Sequence, residues 1–140
     1  AALAIKRYEH CWLPLLKEHR ESGEKLAPPL DVEWAWHCHT LCPSAYHTDC
    51  EAIQGGLQKR VTFASAKERK EAAQQAQRLW EQKWGIRIPY HLDVGGFELR
   101  NREWPPSKLS YDIAASMARQ QDFYHQVSRD HFRRPTLLAQ

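Results

Sequence analysis

Asp31-Val32-Glu33-Trp34-Ala35-Trp36-His37-Cys38-His39-Thr40-Leu41-Cys42, followed by Pro43, decides the fold. Apolar and aromatic side chains fall on nearly every side of this run, which predicts a central, deeply buried helix over 32–42. Asp31 stands where an N-cap belongs, its oxygen able to accept from a free amide of the first turn. Pro43 suits the first position of a following helix, because the N–H it lacks is not needed there. That helix is expected over 43–54, stopped by Gly55-Gly56.

Working outward, Tyr8, Trp12, Leu15 and His19 recur at spacings of four, three and four. They predict an amphipathic helix over 3–21. Pro14 lies inside it and crowds the carbonyl of His10, so a kink is expected there. Ser22-Gly23 ends this helix, and Ala27-Pro28-Pro29-Leu30 reads as an extended connector. Val61-Thr62-Phe63 is either a short extended piece or loop. Ser65 and Glu68 have capping-box spacing and open a helix over 66–84, with Ala72, Ala76, Leu79, Trp80 and Trp84 as its stripe and Gly85 as its stop. Residues 86–109 lack a helical period and form a long excursion, in which Phe97-Glu98-Leu99 is a candidate short strand. A last long helix is expected over 111–129, burying Ile113, Met117, Tyr124 and Val127, and broken by Arg133-Arg134-Pro135. Thr136 to Gln140 reads as the opening turn of a further helix. The fold class is therefore all-α, a small irregular bundle of about five helices forming a single domain over 1–140.

Composition narrows the function. Hydrophobic residues at 42% and charged residues at 26% exclude a wholly disordered chain. No apolar run approaches the ~18 residues of a membrane span. A net charge of +3 does not by itself point to nucleic acid, and basic residues such as Lys59-Arg60, Lys67, Arg69-Lys70 and Arg133-Arg134 are scattered among acids without a recognised nucleic-acid module. Cys38 and Cys42, four apart on one helix, are badly aimed for a disulfide. The start, Ala1-Ala2-Leu3-Ala4, lacks the basic stretch and apolar core of a signal peptide. A reduced, intracellular and cytoplasmic setting is expected, with organelle targeting left open if the N-terminus is trimmed.

The 8 His and 6 Trp carry the candidate chemistry. His37 and His39 sit about 200° apart around a helix and do not chelate one ion from a regular helix. Either would need a partner from another element, and His131 is the candidate, with Cys50 and Asp49 as further ligands for zinc or iron. The competing reading is that these imidazoles are buried and hydrogen-bonded to Tyr46, Asp49, Gln126 or backbone. Cys38, His39, Cys42, His47 and Cys50 form a second soft-ligand set, without zinc-finger spacing. Cys50 beside Asp49 is a candidate nucleophile that needs a base within hydrogen-bond reach. Trp12, Trp34, Trp36 and Trp80 either line a ligand pocket or fill the core.

Pro28-Pro29-Leu30-Asp31-Val32, Trp34, Trp36-His37-Cys38-His39, Leu41, Pro43, Tyr46 and Asp49-Cys50 form one distinctive block. Tyr111-Asp112-Ile113, Gln120 or Gln121, Phe123, Gln126-Val127-Ser128-Arg129 and His131-Phe132 form a second. With Tyr8, Trp12 and Leu13-Pro14-Leu15-Leu16, they resemble the glycine-rich domain-containing protein-like family of plants and fungi. The resemblance implies a small helical domain, often joined to other modules, with links to stress and developmental responses but no established reaction. Trp36, Tyr46, Asp49, Cys50, Gln126 and Arg129 carry the motif. This chain lacks the glycine-rich tail that plant members place outside the domain. Two functions compete. One is a non-catalytic interaction or scaffold domain that engages a protein partner or neighbouring module through the excursion and the apolar end near Leu137 and Leu138. The other is a metal-binding domain, with enzymatic use of the metal left open, built on His37 or His39 with His131.

Overall fold

The computed structural model describes residues 1–92 and 99–133, with residues 128–133 described by backbone alone. The first helical run comprises α1 (Ala2–Arg7), a π-helical turn (Tyr8–Trp12) and α2 (Leu13–Glu18). The expected kink at Pro14 takes the form of this π turn. The Leu13 amide reaches back five residues to the Tyr8 carbonyl, which widens the helix just ahead of the proline ring. A short 3-10 turn (Arg20–Ser22) leads to Gly23, whose φ of 71° closes the run where Ser22-Gly23 predicts a stop.

Next comes α3 (Leu30–Thr40), then α4 (Pro43–Gln54), α5 (Ala66–Trp84) and α6 (Ile113–Arg133). No strand occurs among the described residues, so the all-α class holds. The central position expected for α3 also holds: it packs against α1, the π turn, α4 and α6. Pro43 opens α4, and Gly55 ends it with a φ of 70°. The Ser65 hydroxyl accepts from the Glu68 amide at 3.1 Å. The return bond of the capping box goes one residue further out, from the Ala64 amide to Glu68 Oε2 at 2.9 Å. Lys25 also grips that carboxylate, and this hydrogen bond holds the Glu68 carboxyl below its usual range.

Three expectations need correction. Asp31 is not the N-cap of α3. Pro29 holds that position, and Asp31 lies inside the first turn, where its carboxylate takes the Arg7 guanidinium, Nε to Oδ2 at 2.8 Å. An ion pair to a fully buried arginine outweighs a cap worth about 1 kcal/mol. In α6, Ile113 and Met117 are buried as expected, but Tyr124 and Val127 are about half exposed. Among the described side chains of α6, the buried ones end at Met117. The helix begins at Ile113 rather than 111, with Asp112 Oδ1 accepting from the Ala115 amide at 3.0 Å. The candidate strand at 97–99 and the turn at 136–140 fall wholly or partly outside the described residues; Leu99 itself is helical.

The excursion is bound at both ends to the first helical run. Arg7 Nη1 donates to the Pro89 carbonyl at 2.6 Å, and Nη2 to the Tyr90 carbonyl at 2.7 Å. Trp80 Nε1 donates to the Ile88 carbonyl, and the Tyr90 hydroxyl donates to the Ala27 carbonyl. At the far end, the Ser107 hydroxyl and the Lys108 amide donate to the two oxygens of Glu9, at 2.6 and 2.7 Å. The buried face of α5, carried by Trp80, thus reaches the core largely through irregular chain.

Candidate functional site

His37 and His39 leave α3 in opposite directions, as their spacing requires. His39 points inward and is fully buried. Its Nδ1 lies 2.8 Å from the Tyr8 hydroxyl, and its Nε2 lies 2.8 Å from Asp49 Oδ2. Asp49 Oδ1 accepts from the Ser110 amide at 2.8 Å. One tautomer satisfies the whole chain: Nε2–H donates to the carboxylate, and Nδ1 accepts from the phenol. Burial pushes the His39 imidazole below its ordinary pKa, partly offset by its hydrogen bond to Asp49, so the neutral form is held. Burial also drives the Tyr8 phenol well above its usual range. The order hydroxyl, imidazole, carboxylate matches that of a catalytic triad. Here, however, the Tyr8 hydroxyl is fully buried and closed off from solvent. What the chain does is tie together the π turn, α3, α4 and the segment leading into α6.

The second layer surrounds this network. Trp36 Nε1 donates to the Tyr46 hydroxyl at 2.9 Å, and that hydroxyl donates to the Gln58 carbonyl. The rings of Tyr46 and Tyr111 pack on His39, one edge-on and one nearly parallel. Cys50 is buried beside them. Burial raises the Tyr46 phenol as well.

His37 faces outward into a hollow of about 410 Å³ lined by Leu30, Glu33, Trp34, Arg60 and Tyr124. Its ring stacks on Trp34, with centroids 5.7 Å apart, and Trp34 in turn meets Tyr124 at 5.8 Å. Arg60 donates to His37 Nδ1 at 3.3 Å and lies 5.4 Å from the centre of the Trp36 ring. At this hollow Leu30 is 81% and Tyr124 53% exposed, and Phe123, packed edge-on against Tyr124, is 58% exposed.

The sequence model of the "Glycine-rich domain-containing protein-like" family matches residues 2–49 and 45–140. The chain belongs to that family. It is 38% identical over 136 residues to Glycine-rich domain-containing protein 1 of Arabidopsis thaliana, across 91% of this chain and 16% of that protein. It is 37% identical over 139 residues to Glycine-rich domain-containing protein 2 of the same plant, across 91% of this chain and 17% of that protein. The chain thus spans about a sixth of the length of these curated relatives. No solved structure matches it.

Within this glycine-rich domain-containing protein-like fold, Trp36, His39, Tyr46, Asp49 and Cys50 gather into one buried cluster, while His37 and Gln126 face outward. The side chains of Arg129 and His131 lie outside the described residues. Among the described residues, no group of three or more His, Cys, Asp or Glu is placed to hold a metal ion. Both His39 nitrogens already have protein partners. Cys11, Cys38 and Cys50 are buried, Cys42 is half-buried, and all four are free thiols. Burial pushes the Cys11 thiol up to about 12 and the Cys38 thiol up as well. Trp12, Trp36 and Trp80 fill the core rather than a pocket, and Trp34 alone of the four reaches the outer hollow.

Sequence reasoning missed two residues. Arg7 and Glu9 are buried charges that hold the two ends of the excursion. A signal for Arg7 existed: it stands four residues from both Leu3 and Cys11, in the middle of the apolar stripe, where a charge requires buried partners.

Proposed function

We propose that residues 1–140 form one non-catalytic interaction domain, a module that binds another protein or a neighbouring module through the exposed side of α3 and α6. The observation that carries this reading is the exposed apolar side chains Leu30, Phe123, Tyr124 and Val127, with Tyr124 packed on the half-buried Trp34. Isolated exposed apolar residues are ordinary, but a contiguous aromatic surface above a hollow marks a contact site. The buried motif supports the same reading, because Tyr8, His39 and Asp49 join helices and offer no accessible reacting group. The free cysteines are consistent with a reducing, intracellular setting. No helix among the described residues is long and apolar enough to cross a membrane.

Placing a photo-crosslinking amino acid at Leu30 or Tyr124 tests this reading in cells. Both positions should give the same discrete crosslinked protein, and a probe at Gln77, on the polar face of α5, should not. Absence of a crosslink from positions 30 and 124, or the same product from position 77, would refute the interaction surface.

A further inference from the structure

Residues 57–63, Leu57-Gln58-Lys59-Arg60-Val61-Thr62-Phe63, run without helix, turn or bend between α4 and α5. Among the described residues, their backbone N–H groups donate to no protein acceptor; the first amide past them to do so is Ala64. Three of their carbonyls accept hydrogen bonds: Gln58 from the Tyr46 hydroxyl, Thr62 from Lys25 Nζ at 3.2 Å, and Lys59 from the neighbouring Gln58 Nε2 at 3.3 Å, so at Lys59 the amide is the open group. In extended chain, the N–H and C=O of one residue point to the same side, and successive residues alternate. An extended course with Gln58 and Thr62 turned inward would turn the backbone groups of Lys59 and Val61 outward. This stretch offers a row of backbone amides that no described residue pairs. Leu57 and Val61 are also exposed.

The surroundings specify a ligand. Three hollows, of about 410, 590 and 500 Å³, lie along this segment, and Arg60 lines all of them. Residues 57–70 carry Lys59, Arg60, Lys67, Arg69 and Lys70 against one acid, Glu68, which Lys25 already pairs. Glu33 sits between Arg60 and Arg69 and is the one acid shared by the two hollows that meet there. Cationic side chains therefore outnumber acids along an open backbone edge, beside an aromatic recess.

We propose that residues 57–63 dock an extended, acidic peptide segment of another protein by strand addition. The peptide takes hydrogen bonds from the outward amides of Lys59 and Val61, sets a carboxylate on Arg60, and places an apolar side chain in the hollow between Leu30, Trp34 and Tyr124. Strand addition draws affinity from the backbone and specificity from side-chain pockets on alternate residues, and this edge supplies both. The proposal rests on the reading of the chain as an interaction domain and names the chemistry of its partner.

The test uses the purified chain and a fluorescein-labelled peptide, Glu-Val-Glu-Leu-Glu-Val-Glu, followed by anisotropy and by amide hydrogen exchange. Saturable binding below about 1 mM is expected, weakening as salt rises. The exchange of the Lys59 and Val61 amides should slow on binding. Arg60→Glu and Val61→Pro should each weaken binding at least about tenfold, whereas Val61→Ala, which keeps the N–H, should stay within about twofold. Unchanged helical circular dichroism shows that each variant is folded. The proposal is overturned by a lack of saturation at about 1 mM, by equal binding of Lys-Val-Lys-Leu-Lys-Val-Lys, or by an unaffected Val61→Pro. Crosslinks from positions 30 and 124 without peptide binding would remove this edge and leave the interaction domain standing. Loss of those crosslinks would remove the wider reading itself.

Discussion

Replacing Asp49 by alanine should cost the fold about 4 kcal/mol at pH 7.5. Asp49 is almost fully buried, and its two oxygens serve two different donors, His39 Nε2–H and the Ser110 amide. Alanine leaves both donors buried without acceptors. Each orphaned donor costs about 1–3 kcal/mol, so the pair costs about 2–6 kcal/mol. Asparagine keeps the shape and separates packing from hydrogen bonding. Its carbonyl can serve Ser110, but its amide then faces His39 Nε2. The imidazole must switch tautomer, and the Tyr8 hydroxyl loses its acceptor. One misplaced partner should cost about 1–2 kcal/mol. Urea unfolding followed by circular dichroism reads the difference. With a slope of about 2 kcal/mol/M, the midpoint should fall by about 2 M for Asp49→Ala and by under about 1 M for Asp49→Asn. A loss below about 1 kcal/mol for alanine, or equal losses for the two variants, would refute the claim that hydrogen bonding through Asp49 holds the helices together.

Arg7→Met should cost about 3–5 kcal/mol, because it strands Asp31 and two carbonyls of the excursion; limited proteolysis should then cut near residues 86–92 first. Tyr124→Asp and Val127→Asp should each shift stability by under about 0.5 kcal/mol in the same urea assay, since both side chains are exposed. For His39, burial lowers the folded pKa below the unfolded value of about 6.5, so the native state refuses a proton that the unfolded chain accepts. Its contribution is therefore complete above about pH 6.5 and is lost as the pH falls from there toward the folded pKa, at up to about 1.4 kcal/mol per pH unit; His39→Gln should flatten that part of the urea-midpoint profile. Iodoacetamide should modify Cys42 first in the native chain, with the buried Cys11, Cys38 and Cys50 reacting only on unfolding, as peptide mass mapping would show.

Local signals with one outcome were legible in the sequence. Pro43, Gly55, Ser65 and Gly85 each satisfy or stop a helix end through a few neighbouring atoms, and α4 and α5 have the expected bounds. The opposed directions of His37 and His39 were legible for the same reason, since helix geometry alone fixes them. Asp31 was not, because a short acid near a helix start can cap that helix or answer a distant cation. The choice was made by Arg7, 24 residues away in sequence. The apolar period of α6 was real, but a period names a face without saying how far along it the partner extends.

That last difference bears on function. Tyr124 and Val127 continue the stripe that Ile113 and Met117 bury, yet both are half exposed, and Tyr124 stands beside Leu30 and Trp34 of α3. Keeping such a stripe in water forgoes about 25 cal/mol for each Å² of apolar surface left exposed. Among the described side chains of α6, the buried apolar ones end at Met117, and Ser116 donates to the Cys38 carbonyl just before it. The motif thus divides by side. His39, Tyr46 and Asp49 hold α3 and α4 rigidly from within, and that rigidity holds Trp34, His37 and Arg60 in register on the outer face. A preformed surface loses less entropy on binding than one that must first be ordered, so under the proposed interaction role the buried imidazole would support recognition from the other side of the same helix.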